Sequence, residues 1–251
     1  MLNTKRYWKK AALVVSLVFA SHAAAASYSY GPVAYPEPGT GSYMDILHQA
    51  HPDYQSLDYA SDVSLSFPKF NTSLGSITSV FLLFEAELAG SGGAEHTGSQ
   101  SATVTFTLAA NFWLRRPDNS NLIALTLSDS SWSKECTSFD GVIDFQGQSG
   151  LTVNNYTVSG AGQTTLTSPG DLALFTGSDS ISLPVSAIGQ SGFSGSGNLF
   201  LIVRSGARVG LTVTYTYTPV PEPSVVGLVS GLGLVGFAGW RRTRQSRKPG
   251  C

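Results

Sequence analysis

The sequence predicts an all-β protein, an antiparallel β-sandwich with a jelly-roll-like barrel as the second choice. Three observations carry this. Several segments alternate apolar residues with threonine, clusters of Gly, Ser and Asn separate them, and no stretch keeps a helical period for long. Alternation of period two gives a strand one apolar and one polar face. Many such strands with turn signals between them, and no intervening helices, fold as two packed sheets.

The elements follow in chain order. Lys5, Arg6, Lys9 and Lys10 form a cationic start, and AALVVSLVFA at 11–20 is an apolar core too short for an ordinary spanning helix. SHAAAA then offers small-residue cleavage positions after Ala25 or Ala26. Residues 1–26 therefore read as a secretory signal peptide, with the Sec translocon and signal peptidase as the implied partners. An uncleaved anchor is the competing reading, disfavoured by the short apolar run and its alanine end.

Residues 27–61, rich in Tyr, Pro and Gly, read as an extended arm or edge segment, with 43–50 as the best helical candidate. The sandwich domain is placed at 62–219. SATVTFTL sets Val104, Phe106 and Leu108 against threonines, and GLTVTYTYT does the same with Leu211, Val213, Tyr215 and Tyr217. Further strands are expected at 62–67, 77–88, 122–127, 141–145, 151–158, 172–175 and 198–204. The glycine-rich stretch 189–198, with GFSGSG inside it, reads as a loop.

Charge is segregated. Between residues 27 and 219 six basic residues (Lys69, Arg115, Arg116, Lys134, Arg204, Arg208) stand against 15 acidic ones. So acidic a body argues against nucleic acid as a partner, because phosphate contacts need clustered Lys and Arg.

The search for chemistry yields four leads, and no nucleophile motif among them. His48, His51 and Asp53 would approach one another if 43–50 were helical, but two histidines and one carboxylate make a thin metal set. Glu85 and Glu87 sit two apart on a strand, so both carboxylates share one face; a pair of carboxylates is the equipment of glycoside hydrolysis, and equally a charged outer sheet face. Calcium would need ligands gathered from distant residues, since no Asp-x-Asp-x-Asp-Gly loop is present. Trp113, Trp132 and the tyrosines at 28, 30, 35, 43, 54 and 59 could stack on sugars, although packing is the commoner duty and Trp113, following an alternating strand, reads as core. Cys136, the only cysteine of the body, reads as a buried, inert thiol. No catalytic residue, metal or cofactor is assigned.

The tail is more specific. Pro221, Glu222 and Pro223 precede the uncharged stretch 224–240, from Ser224 to Trp240, and Arg241, Arg242, Arg244, Arg247 and Lys248 follow. As a helix this stretch is about 25 Å long against a hydrocarbon core of about 30 Å, barely enough to span. Trp240 at its edge and the arginines after it would hold that end cytoplasmic. GLVSG at 227–231 adds a small-xxx-small spacing. The two prolines keep the chain extended before the span.

This arrangement at 220–248 resembles a PEP-CTERM sorting signal. Phe70, Ser73, Leu74, Gly75, Ile77 and Val80, with the closing Thr/Tyr strand, resemble the choice-of-anchor E domain proteins over most of 62–219. The resemblance implies an exported β-rich domain, recognition and removal of the tail by exosortase, a membrane-embedded transpeptidase-like enzyme of Gram-negative bacteria, and a setting of exopolysaccharide and biofilm. The expectation is a non-enzymatic protein, transiently anchored in the inner membrane and then placed at the cell surface or in the extracellular matrix. A carbohydrate-binding module, with exopolysaccharide as partner, is the alternative, and a glycoside hydrolase a weaker one. An ordinary single-pass anchor that is never cut is the plain competitor for the tail.

Overall fold

The structure, a computed structural model, describes residues 24–57 and 63–220. The chain enters through β1 (Ala26–Tyr35), the short strands β2 (Tyr43–Met44), β3 (Ala50–His51) and β4 (Gln55–Ser56), and β5 (Val63–Pro68). A 3-10 turn at Thr72–Leu74 leads into β6 (Gly75–His96), β7 (Ala102–Arg115), β8 (Asn121–Cys136) and β9 (Gly150–Leu166). A short helix α1 (Pro169–Leu174) precedes β10 (Ser180–Gly189), β11 (Gly192–Gly195) and β12 (Leu199–Pro219).

Two antiparallel sheets pack face to face. The first has the order β1-β12-β6-β9, with β4 also on β12. The second runs β11-β7-β10-β5 with β8 on the other side of β7. At the sandwich's two sides β8 leans on β9 and β1 on β5. The core lies between the sheets, where Val80, Leu82, Phe84 and Leu88 meet the fully buried Phe106, Leu108, Phe112 and Leu114. These residues occupy alternate positions, which is the pattern that makes their segments strands.

The spine of the first sheet is the pairing of β6 with β12, from Gly75 opposite Pro219 to His96 opposite Leu199. The stretches 198–204 and 210–218, expected as separate strands, fall in one strand of 21 residues. Strand β6 alternates cleanly up to Leu88 and is then buried on both faces. Its outer face beyond that point is roofed by the β2–β3 hairpin and by the loop before β9. Tyr43 Oη lies 3.2 Å from Ser91 Oγ, and Phe145 N donates to Glu95 Oε2 at 2.8 Å.

Four expectations are corrected. Residues 43–50 form a hairpin, not a helix, because the Asp45 carboxylate accepts from Leu47 N and Gln49 N and His48 takes φ 59°. Residues 141–145 are irregular: Asp140 and Asp144 capture Val142 N and Gln146 N, an arrangement that competes with strand pairing. The stretch 172–175 falls largely in helix α1, whose N-cap Ser168 accepts from Asp171 N with a proline in the first turn. Within the supposed glycine-rich loop, Gly192–Gly195 is a strand on β7.

Candidate functional site

The outer face of the first sheet opens into a groove of about 550 Å³ at the middle of β6 and β12. Cross-strand partners lie on the same side of a sheet, so register decides what lines it. Glu85 faces Ala161 of β9 on one side and Gly210 of β12 on the other, with Ala34 of β1 beyond Gly210. Glu87 lies between Ser159 and Arg208. Pro32 from β1, Pro36 and Pro38 just after it, and Asp53 also line it.

The two carboxylates have different surroundings. Arg208 donates through Nε at 3.1 Å and Nη2 at 2.5 Å to Glu87 Oε2, while Tyr54 Oη donates to Oε1. The guanidinium also lies over the Tyr54 ring, 5.3 Å from its centroid. Burial and the hydrogen bond to Glu87 push the Tyr54 phenol up to about 12, so it remains a donor at neutral pH. Hydrogen bonding to Glu87 raises Arg208 above its ordinary value. Glu85 is exposed, and its carboxylate makes no ion pair or side-chain hydrogen bond among the described residues. The expectation that Glu85 and Glu87 share an outer face while Phe84, Ala86 and Leu88 turn to the core is met.

The structure separates the other leads. His51 Nε2 is 3.2 Å from Asp45 Oδ2, Asp53 accepts from Gly39 N at 3.0 Å, and His48 is exposed, so the three do not converge. Among the described residues no group of three His, Cys, Asp or Glu is placed to hold a metal ion. Trp113 is corrected: it lies half-buried on an outer face beneath Arg115, while its neighbours Phe112 and Leu114 fill the core. Trp132 is exposed and meets Tyr156 edge to face. Tyr28 packs on Phe70, Tyr215 and Tyr217; Tyr43 is buried; Tyr30 is exposed; Tyr35 packs against the core. Cys136 is buried, and burial pushes its thiol up, opposed by Lys134 and reinforced by Glu95.

Of the export residues, Ala25 is exposed just before β1, and Ala26 opens that strand opposite Tyr217. Pro221, Glu222, Pro223, Ser224, Trp240, Arg241, Arg242 and Arg244 lie outside the described residues, as do residues 1–23 and Tyr59. Among the described residues no helix is long and apolar enough to cross a membrane.

The glutamates are legible in the sequence as a pair on one strand face, and their partners are not. Tyr54 comes from the segment before β4, Glu87 from β6 and Arg208 from β12, and no spacing in the chain announces their meeting. The buried Glu95 was also missed; its Oε2 accepts from Phe145 N, and its Oε1 has no partner.

No family model and no curated protein matches the chain. Among solved structures it matches capsid structures of infectious bursal disease virus. The Gx strain is 10% identical, with 81% of this chain and 43% of that one covered at a TM-score of 0.19. The VP2 subviral particle is 11% identical, with 79% and 38% covered at a TM-score of 0.21. The chain thus spans about two-fifths of those neighbours, and a likeness of this size carries nothing into the functional reading.

Proposed function

We propose that this chain is an exported, non-enzymatic protein of the cell surface or extracellular matrix, anchored briefly in the inner membrane of a Gram-negative bacterium and released from its tail by exosortase. In this reading the signal peptide is removed after Ala25 or Ala26, and Pro221, Glu222 and Pro223 are the recognised motif. Ser224 to Trp240 is the temporary transmembrane helix, and Arg241, Arg242 and Arg244 are its cytoplasmic stop.

The supporting observation is where the body's two ends lie. Ala26 is the cross-strand partner of Tyr217, and Val220 N donates to Leu74 O at 3.1 Å. The described body therefore begins and ends at the same end of the sandwich, and in this reading leader and tail address one membrane face without threading past it. Val220 alone separates the last paired residue, Pro219, from Pro221. The motif would sit at the foot of the folded domain, where a membrane-embedded enzyme reaches it.

The non-enzymatic part rests on Glu87. Both of its oxygens are engaged, by Arg208 and by Tyr54, which supports a structural duty for this carboxylate in tying the arm to the sheet. Mass spectrometry of the protein recovered from its native host tests the sorting step. The expected mature product lacks residues 224–251, and finding them intact would overturn it.

A further inference from the structure

We propose that the groove over Glu85 binds an amine-bearing, hydroxyl-rich ligand, an amino-sugar segment of a glycan. This stands on the groove alone, so retention of the tail in the mature protein would leave it untouched.

At about 550 Å³ the groove falls within the ordinary range of small-ligand sites, about 300–1,000 Å³. Its floor is made for approach. Glu85 rises from a row whose other members are Ala34, Gly210 and Ala161, so nothing longer than a methyl group flanks the carboxylate along that row. A Cβ at Gly210 would meet only Pro32 Cβ, at 3.9 Å, so the space above it is open.

The charges select a cation. Glu85, Glu87 and Asp53 line the site against one guanidinium, and Arg208 is already committed to Glu87. Among the other basic residues of the body, Lys69 pairs with Asp179, Arg116 with Asp171, Lys134 donates to Gly147 O and Gly150 O, Arg115 lies over the Trp113 ring, and Arg204 is not among the residues lining the groove. Among the described residues no basic side chain pairs with Glu85, whose exposed carboxylate stands open to a cation from solution. A metal ion is poorly served, since Glu85, Glu87 and Asp53 line the groove without coming together as a ligand group, and no such group occurs among the described residues. An acidic glycan would be repelled.

The remaining chemistry suits a sugar ring. Ser159 and the second oxygen of Asp53 offer partners for hydroxyls, and Pro32, Pro36 and Pro38 offer rigid apolar surface for the ring's C–H faces. A lysine side chain would satisfy Glu85 and leave these groups unused, which is how the two ligands are told apart.

The test is calorimetric titration of the mature chain with tetraglucosamine, tetra-N-acetylglucosamine, tetragalacturonate and tetralysine. Tetraglucosamine is expected to bind, its acetylated form at least about tenfold more weakly because the charge-assisted hydrogen bond is gone, and tetragalacturonate not at all. Glu85→Gln should weaken tetraglucosamine by about tenfold or more. Gly210→Leu should fill the floor and abolish binding, both variants keeping the parent's thermal transition. No binding of tetraglucosamine overturns the proposal. So does acetylated sugar, galacturonate or tetralysine binding as tightly, or affinity unchanged in both variants.

Discussion

A single hydrogen atom at Gly206 lets the arm dock on the sheet. An added Cβ there would lie 2.4 Å from Tyr43 Cγ and 2.7 Å from its Cβ, distances no folded chain tolerates without moving the ring. That ring is buried, and its hydroxyl reaches Ser91 Oγ and the Arg204 carbonyl, so displacing it breaks polar contacts as well as packing. Gly206→Ala is therefore expected to lower the unfolding free energy by about 1–3 kcal/mol, the usual cost of overpacking. Gly192 is the control, since nothing lies within 4 Å of the Cβ it would gain. Urea unfolding midpoints of the two variants decide the matter. An unchanged midpoint for Gly206→Ala would mean that Tyr43 does not hold the hairpin down.

At the scale of an element, the β2–β3 hairpin is organised by one carboxylate. Asp45 is fully buried; burial pushes its carboxyl up, and hydrogen bonds from Gln49 N, His51 and Leu47 N together outweigh this and hold it below the ordinary aspartate value. A carboxyl depressed in the folded state, against about 3.9 when unfolded, stabilises the fold fully above that value. The contribution disappears as pH falls through the lower, folded pKa. Asp45→Asn keeps an oxygen for Leu47 N and Gln49 N but loses the charge, and should cost about 1–2 kcal/mol near neutral pH. The gap between parent and variant should narrow as pH falls below the unfolded value of about 3.9 and through the lower, folded one. Chemical unfolding followed across that range checks it, and a gap independent of pH would exclude the charge as the cause. The same residue explains what was hidden in the sequence. Alternation in SATVTFTL and GLTVTYTYT revealed β7 and β12, because the strand period writes itself into neighbouring residues. Asp45, Asp140 and Asp144 work instead by seizing backbone N–H groups two to four residues on, and so turned an expected helix into a hairpin and an expected strand into a loop. Glu85 and Glu87 were legible as a pair on one face. The groove around them was not, because Arg208, Gly210, Ser159 and Ala161 enter it through the registers of β12 and β9.

For the whole molecule, strand order places the greatest demand on the last strand. β12 lies between β1 and β6 and also carries β4, so the first strand of the body has its sheet partner in the final strand. Until residues 199–219 are available, β1 has no ladder, and Leu211, Val213 and Tyr215 are missing from the core. Such long-range pairing makes closure a late event, dependent on nearly the complete chain. During export, on the reading proposed above, the region around Ala25 and Ala26 would remain open to signal peptidase until the C-terminal end had crossed, because the strand that pairs with Ala26 is β12. Two truncations separate the roles of strand and tail. A chain covering residues 27–220 keeps all but the first residue of the strands described and should unfold cooperatively on heating. A chain covering 27–198 lacks the strand that joins β1 to β6 and exposes the fully buried Leu82 and Phe84 at an open edge. It is expected to show no cooperative transition and to aggregate, as sheets with long unpaired apolar edges do. Cooperative melting of the shorter chain would show instead that the second sheet, with β6 and β9, folds without its last strand.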